Sequence, residues 1–147
     1  MSTPTDILAR DFTFQLNTGT VAVPVWVTVG GINSWSDKPS SKDADTTKFS
    51  DAGADSHLKA SRGREWTLKG ILQEDTADGV RDAGQDACET WSYAVGPASR
   101  KQFKITSPGG RTRTALATAE LVVGGGSNDD PAAWELTIKT SGTITRT

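Results

Sequence analysis

His57 is the only histidine in the chain and Cys88 the only cysteine, so a nucleophile-and-base arrangement would have to use one of them. Together they cannot supply the four ligands of a zinc site. His57 stands among Asp55, Ser56 and Lys59, where a solvated histidine is the simpler reading. Cys88 falls on the apolar stripe of a helical pattern and reads as a small buried hydrophobe. Glu74, Asp75, Asp78, Asp82 and Asp86 crowd one segment, and Asp51 and Asp55 another, but neither set follows the spacing of a calcium loop. Helix capping and a solvated helix face account for the first group. A glycosidase would need an acid and a base facing a deep cleft, which a small domain with one short helix rarely supplies. Gly124-Gly125-Gly126 leads into no helix and so lacks the setting of a phosphate loop. Arg62-Gly63-Arg64 and Arg111-Thr112-Arg113 are short basic spots in or beside strand patterns. They read as exposed residues that discourage edge aggregation or pair with a neighbour's acids. The expectation is a non-enzymatic protein with no catalytic, metal or cofactor site.

The elements that carry these residues are mostly strands. Valine occupies every odd position from Val21 to Val29, the period of a strand with one buried face. Pro24 puts that strand at an edge or a bulge. Upstream, Phe12, Phe14 and Leu16 alternate with polar residues and run into Asn17-Thr18-Gly19-Thr20, which predicts an N-terminal hairpin. The segment 33–57 is rich in Ser, Asp and Lys, with Trp35 and Phe49 almost its only apolar residues. It reads as a long projecting loop, or alternatively as a polar hairpin arm with Thr46 to Phe49 as one strand. Strand character returns near Leu58 and is firm from Glu65 to Leu72.

From Asp78 to Val95 the period becomes helical, with Val80, Gly84, Ala87, Cys88, Trp91 and Val95 on one stripe. Asp75, Thr76 and Asp78 compete for its N-cap. Gly96-Pro97 ends it. Strands follow over Gln102 to Ser107, Thr112 to Val123 and Ala133 to Thr145. The order predicts a mainly β domain spanning 1–147, a sandwich or barrel with one flanking helix over about 78–95.

The composition fits this reading. Sixteen basic against eighteen acidic side chains give a net charge of -2, without the broad basic footprint of a nucleic-acid binder. The N-terminal residues lack the pattern of a secretory signal, and no apolar run approaches the length of a membrane span; a cytoplasmic protein with no membrane insertion is expected.

Taken together, these features resemble the major tail tube proteins of long-tailed bacteriophages. The resemblance rests on the early hairpin into Val25-Trp26-Val27-Thr28-Val29-Gly30-Gly31-Ile32, the long polar segment, Glu65-Trp66-Thr67-Leu68-Lys69-Gly70 directly before the helix, and the ending Ala133-Trp134-Glu135-Leu136-Thr137-Ile138-Lys139-Thr140-Ser141-Gly142. It implies a structural virion protein made in the host bacterial cytoplasm. Such a protein forms homo-oligomeric, hexameric rings that stack into a hollow tube, with tape measure and tail completion proteins as neighbours. DNA passes through the lumen without specific binding. By the same resemblance Trp35, Lys38, Lys42, Asp43, Asp45 and Asp51 are expected to contact a neighbouring subunit or ring, and the arm 1–11 to order on assembly. The tube of a contractile injection machine belongs to the same physical class. A carbohydrate-binding or adhesin-type β-sandwich, with Trp26, Trp35, Trp66 or Trp134 as a stacking platform, is the alternative from another class.

Overall fold

The computed structural model describes residues 3–45, 53–54 and 57–147. Its strands are β1 (Thr13–Asn17), β2 (Trp26–Thr28), β3 (Ile32–Asp45), β4 (His57–Ile71), β5 (Lys101–Thr106), β6 (Thr112–Val123) and β7 (Ala133–Arg146), with one α-helix, α1 (Ala83–Tyr93), between β4 and β5. All pairings are antiparallel, and the seven strands lie in the order β2-β1-β5-β6-β7-β4-β3. The mainly β architecture with one flanking helix is therefore as the sequence patterns predict.

Alternation writes the core directly. Phe14 and Leu16 of β1, Trp66 and Leu68 of β4, Phe103 and Ile105 of β5, and Trp134, Leu136 and Ile138 of β7 are buried on one face of the sheet, as a period of two requires. Cys88 and Trp91 cover that face from α1. The Trp91 ring stacks on Phe103 with centroids 6.0 Å apart, and its indole N–H donates to the Ser99 carbonyl at 2.7 Å. The sheet also curls on itself. Trp35 of β3 lies 5.6 Å from Phe14 of β1 and 4.8 Å from Phe12, ring centre to ring centre, although β1 and β3 stand near opposite ends of the strand order. Side chains close the barrel where no ladder does.

The valine strand is corrected. Only Trp26–Thr28 pairs with β1, and Val21, Val23 and Val25 are 66%, 70% and 53% exposed. The cause is Asn17, which is buried at the end of β1. Its side-chain oxygen accepts from the Gly19 and Val25 amides at 2.9 and 3.0 Å, and its NH₂ donates to the Thr20 carbonyl and to Gln102. That amide gathers residues 18–25 into a narrow loop, so the valines follow a turn geometry and not a pleat. Pro24 does mark an edge, since β2 is the outermost strand.

The helix is shorter than its pattern. Asp82 is the N-cap, accepting from the Gln85 amide at 3.1 Å. Asp75 and Asp78 instead close a preceding turn by accepting from the Ala77 and Val80 amides. Val80 and Val95 fall outside the helix and are exposed. Gln85, from the predicted polar face, is buried: its NH₂ donates to the Gly30 and Ile71 carbonyls at 3.0 and 2.8 Å, and its oxygen accepts from the Gln73 amide at 3.0 Å. One amide thus locks α1 to the turn before β3 and to the end of β4.

Candidate interaction surfaces

The polar segment expected as a loop is, where it is described, a two-stranded ribbon. β3 and β4 pair from Ile32↔Gly70 to Asp45↔His57, with register shifts between Ile32 and Ser34 and between Lys42 and Asp43, whereas β4 pairs with β7 only from Glu65 to Ile71. Residues 38–45 and 57–64 therefore ladder with each other beyond the reach of β7, apart from the Arg64 amide, which donates to the Thr140 hydroxyl at 2.9 Å, and form a hairpin arm that leaves the sheet. This corrects the loop reading of 33–57 in favour of the hairpin alternative. The sequence hides it because both faces of a free ribbon are solvated, so no buried face imposes alternation. The segment Thr46 to Phe49, expected as a strand of that arm, lies outside the described residues.

Trp35 does not sit in a loop. It is half-buried at the base of the arm, packed tilted against Phe12 and edge-on against Phe14, and donates its indole N–H to the Ala9 carbonyl at 3.2 Å. The N-terminal arm is thereby tied down at its base, where Ala9–Asp11 makes a 3-10 turn, while Ile7 and Leu8 further out are 54% and 51% exposed. A cavity of about 180 Å³ lies between this arm, β1 and β3, walled by Phe12, Phe14, Val29, Ile32 and Trp35. Lys38 and Lys42 are exposed along the ribbon. Asp43 and Asp45 stand in register with Lys59 and His57 near its described end. Asp51 lies outside the described residues. The chain thus places Lys38, Lys42, Asp43 and Asp45 on one projecting element and puts Trp35 to work within the subunit.

At the root of the arm a carboxylate joins three strands. Asp37 of β3 accepts from Arg113 of β6 at 2.9 Å and lies 3.5 Å from Arg64 of β4. Its second oxygen, Oδ1, is buried, and its contact with Arg64 is an ion pair and not a hydrogen bond. Sequence reasoning noted the two basic spots but not their shared partner; the curl of the sheet, which no local pattern encodes, brings Asp37 to them.

Among the described residues, several of the groups weighed for chemistry are engaged within the fold. Cys88 is fully buried and its thiol is pushed up to about 12, first by desolvation and then by Asp82, so it packs as a hydrophobe. The Arg81 guanidinium bridges Glu74 and Glu89. Asp130 caps the turn after the glycine run, and the amide and hydroxyl of Ser127 hold it below the usual carboxylate range. Trp66 and Trp134 are core residues, and Lys104 stands 4.2 Å over the ring of Trp26.

No family model and no curated protein matches the chain. Its fold, however, is similar to that of chains in three solved particles. A chain of the virion of a native gene transfer agent particle aligns over 97% of this chain and 99% of its own, with a TM-score of 0.72 at 15% identity. A chain from the tail of an empty gene transfer agent particle, computed with helical refinement and C6 symmetry, aligns over the same shares with a TM-score of 0.74 at 16% identity. A chain of the six-fold symmetrised anti-feeding prophage baseplate aligns over 100% of this chain and 97% of its own, with a TM-score of 0.57 at 10% identity.

Proposed function

We propose that the protein is a structural, non-enzymatic subunit of a phage-like tail. In this reading it self-assembles into rings, hexameric ones, that stack into a hollow tube through which DNA passes without specific binding. It is made in the bacterial cytoplasm and resides in the virion tail. The observation that carries the reading is the end-to-end fold likeness to a tail subunit from a C6 particle. The open edges agree with it: β2 and β3 end the sheet, each with an outer edge that pairs with no other strand among the described residues, and closed oligomers are a standard way of satisfying such edges. The near-balanced charge suits a conduit, because a strongly basic lumen would hold the phosphates. A tube-like subunit of a contractile injection particle is the second reading, favoured by the likeness to the baseplate chain.

The test is direct. Purified protein examined by negative-stain microscopy and light scattering across a concentration series should form rings or tubes. Monomers at every concentration would overturn the reading.

A further inference from the structure

The sheet forks where the β3–β4 arm begins. The ladder between β4 and β7 ends at Glu65↔Lys139, and beyond it β4 stays with β3 to His57 while β7 stays with β6 to Arg146. On its other side β6 is held by β5 from Lys101↔Ala117 to Thr106↔Thr112, so one branch of the fork is a broad sheet and the other a two-stranded ribbon. Two side chains cross the gap at its root. The Thr140 hydroxyl of β7 accepts from the Arg64 amide of β4 at 2.9 Å. Asp37 of β3 takes Arg113 of β6 at 2.9 Å on one oxygen and faces Arg64 at 3.5 Å with the other.

Of the two, Asp37 has the longer reach, because β6 lies three strands from β3 in the order of the sheet. Its side chain is 16% exposed, against 45% and 47% for Arg64 and Arg113, so its attraction to them is screened less than that of a surface pair. Hydrogen bonding does not complete the root: Asp37 Oδ1 makes none, nor does the buried indole N–H of Trp66, which stands directly opposite Asp37 in the ladder. Beyond the Thr140 bond, the tie between the branches at this point is therefore one of charge. The lever it holds is long. Residues 38–45 extend about 26 Å at a strand's rise, so a rotation of about 20° at the root would carry their far end roughly 9 Å.

We infer that Asp37 is a positioning residue: by clasping Arg113 across the fork it fixes the direction in which the β3–β4 arm leaves the sheet. The inference rests on the tube reading only for the use of this clasp, which is to present the arm to a neighbouring copy already aimed. An arm held in one direction loses less freedom on docking than one that swings, so the clasp favours association without adding a contact. Arg64, on the ribbon itself and diagonal to Asp37 in the ladder, orients the carboxylate from within the arm.

A spin-label distance measurement on dilute, unassembled protein tests it. Ser41→Cys on the arm and Glu120→Cys on β6 place labels at exposed positions on the two branches, and the buried Cys88 takes none. With no further change the labels should give one narrow distance distribution. Asp37→Asn and Arg113→Ala should each widen it about twofold or more, whereas Arg113→Lys, which keeps the charge, should leave it narrow. Amide exchange over residues 65–71 should stay the same throughout. Narrow distributions in both Asp37→Asn and Arg113→Ala overturn the clasp. So does an Arg113→Lys distribution as wide as that of Arg113→Ala, or a widening that comes with faster exchange over 65–71. Should Asp37→Asn fail to fold, Arg113→Ala, at an exposed side chain, decides alone. At equal concentration, variants with widened distributions should form rings and tubes roughly fivefold more slowly or worse. Equal rates overturn the positioning role, whereas an unaltered protein that never assembles overturns the tube reading and leaves the clasp to the distance measurement.

Discussion

Gly84 stands where helix α1 meets the end of β2, and a Cβ there would lie 2.2 Å from the Thr28 carbonyl oxygen and 2.4 Å from the Val29 Cα. Helix propensity alone argues that Gly84→Ala should stabilise by about 1 kcal/mol. The close approach reverses that sign, because the obstacle is backbone and cannot swing away. Gly84→Ala should destabilise by about 1–3 kcal/mol, as other overpacked sites do, and denaturant titration with an unchanged or raised midpoint would contradict it. Four positions on, Cys88 makes a chemical prediction. Its thiol is raised from 9.0 to about 12 by burial, so the folded state keeps a proton that the unfolded state gives up. Stability from this group is therefore fully present below pH 9 and is lost as pH rises from about 9 toward 12, at up to about 1.4 kcal/mol per pH unit. Chemical denaturation across that range should show a decline that Cys88→Ala lessens. At neutral pH, Ellman's reagent should react with Cys88 only after unfolding; rapid labelling of the native protein would refute this burial.

The β3–β4 arm is the element whose role separates most cleanly from the fold. From Arg64 outward the two strands form no ladder with β7, and no buried core residue lies among the described residues of the ribbon. Replacing residues 40–63 with a two-residue Asn-Gly turn should therefore leave a folded subunit, with a melting temperature changed by less than about 5 °C, and should abolish ring or tube formation. Tubes that form normally without the arm would remove it from the assembly surface. Elements of this kind also show where sequence reading stops. β4 from Glu65 onward and strands β5 to β7 were legible because alternation reports a buried face, and the apolar stripe of α1 located Cys88 and Trp91. The arm was ambiguous because both its faces meet water. The valine run misled for the opposite reason: its alternation is strong, but the buried Asn17 side chain, fixed by the distant Gln102, draws the Val25 N–H to itself and bends residues 18–25 into a loop. Of the candidate contact residues, Lys38, Lys42 and Asp45 are exposed as a polar segment suggests, whereas Trp35 was placed in the wrong kind of element.

At the scale of the whole molecule, the curl of the sheet decides which residues meet, and Trp35 is the side chain that holds the two sides of the strand order together. It spans from β3 to Phe14 of β1, packs on Phe12, and ties Ala9 of the N-terminal arm by its indole N–H. A sugar-binding platform needs an aromatic face open to the ligand, and this ring is engaged by two aromatic neighbours. Trp35→Ala should therefore act through closure: a loss of about 2–4 kcal/mol from vanished aromatic contacts and burial, with the cavity beneath the arm opening. Because the indole N–H that holds the Ala9 carbonyl is lost with the ring, protease cleavage and amide exchange over residues 3–11 should rise more than over β5 and β6. Trp35→Phe, which keeps the ring packing but removes the donor, should recover most of the stability and leave the arm loosened. If Trp35→Ala leaves both the melting temperature and exchange over residues 3–11 unchanged, the closure is carried elsewhere. A loss of glycan binding with no loss of stability would instead return Trp35 to the surface role that a tryptophan in a polar segment suggests.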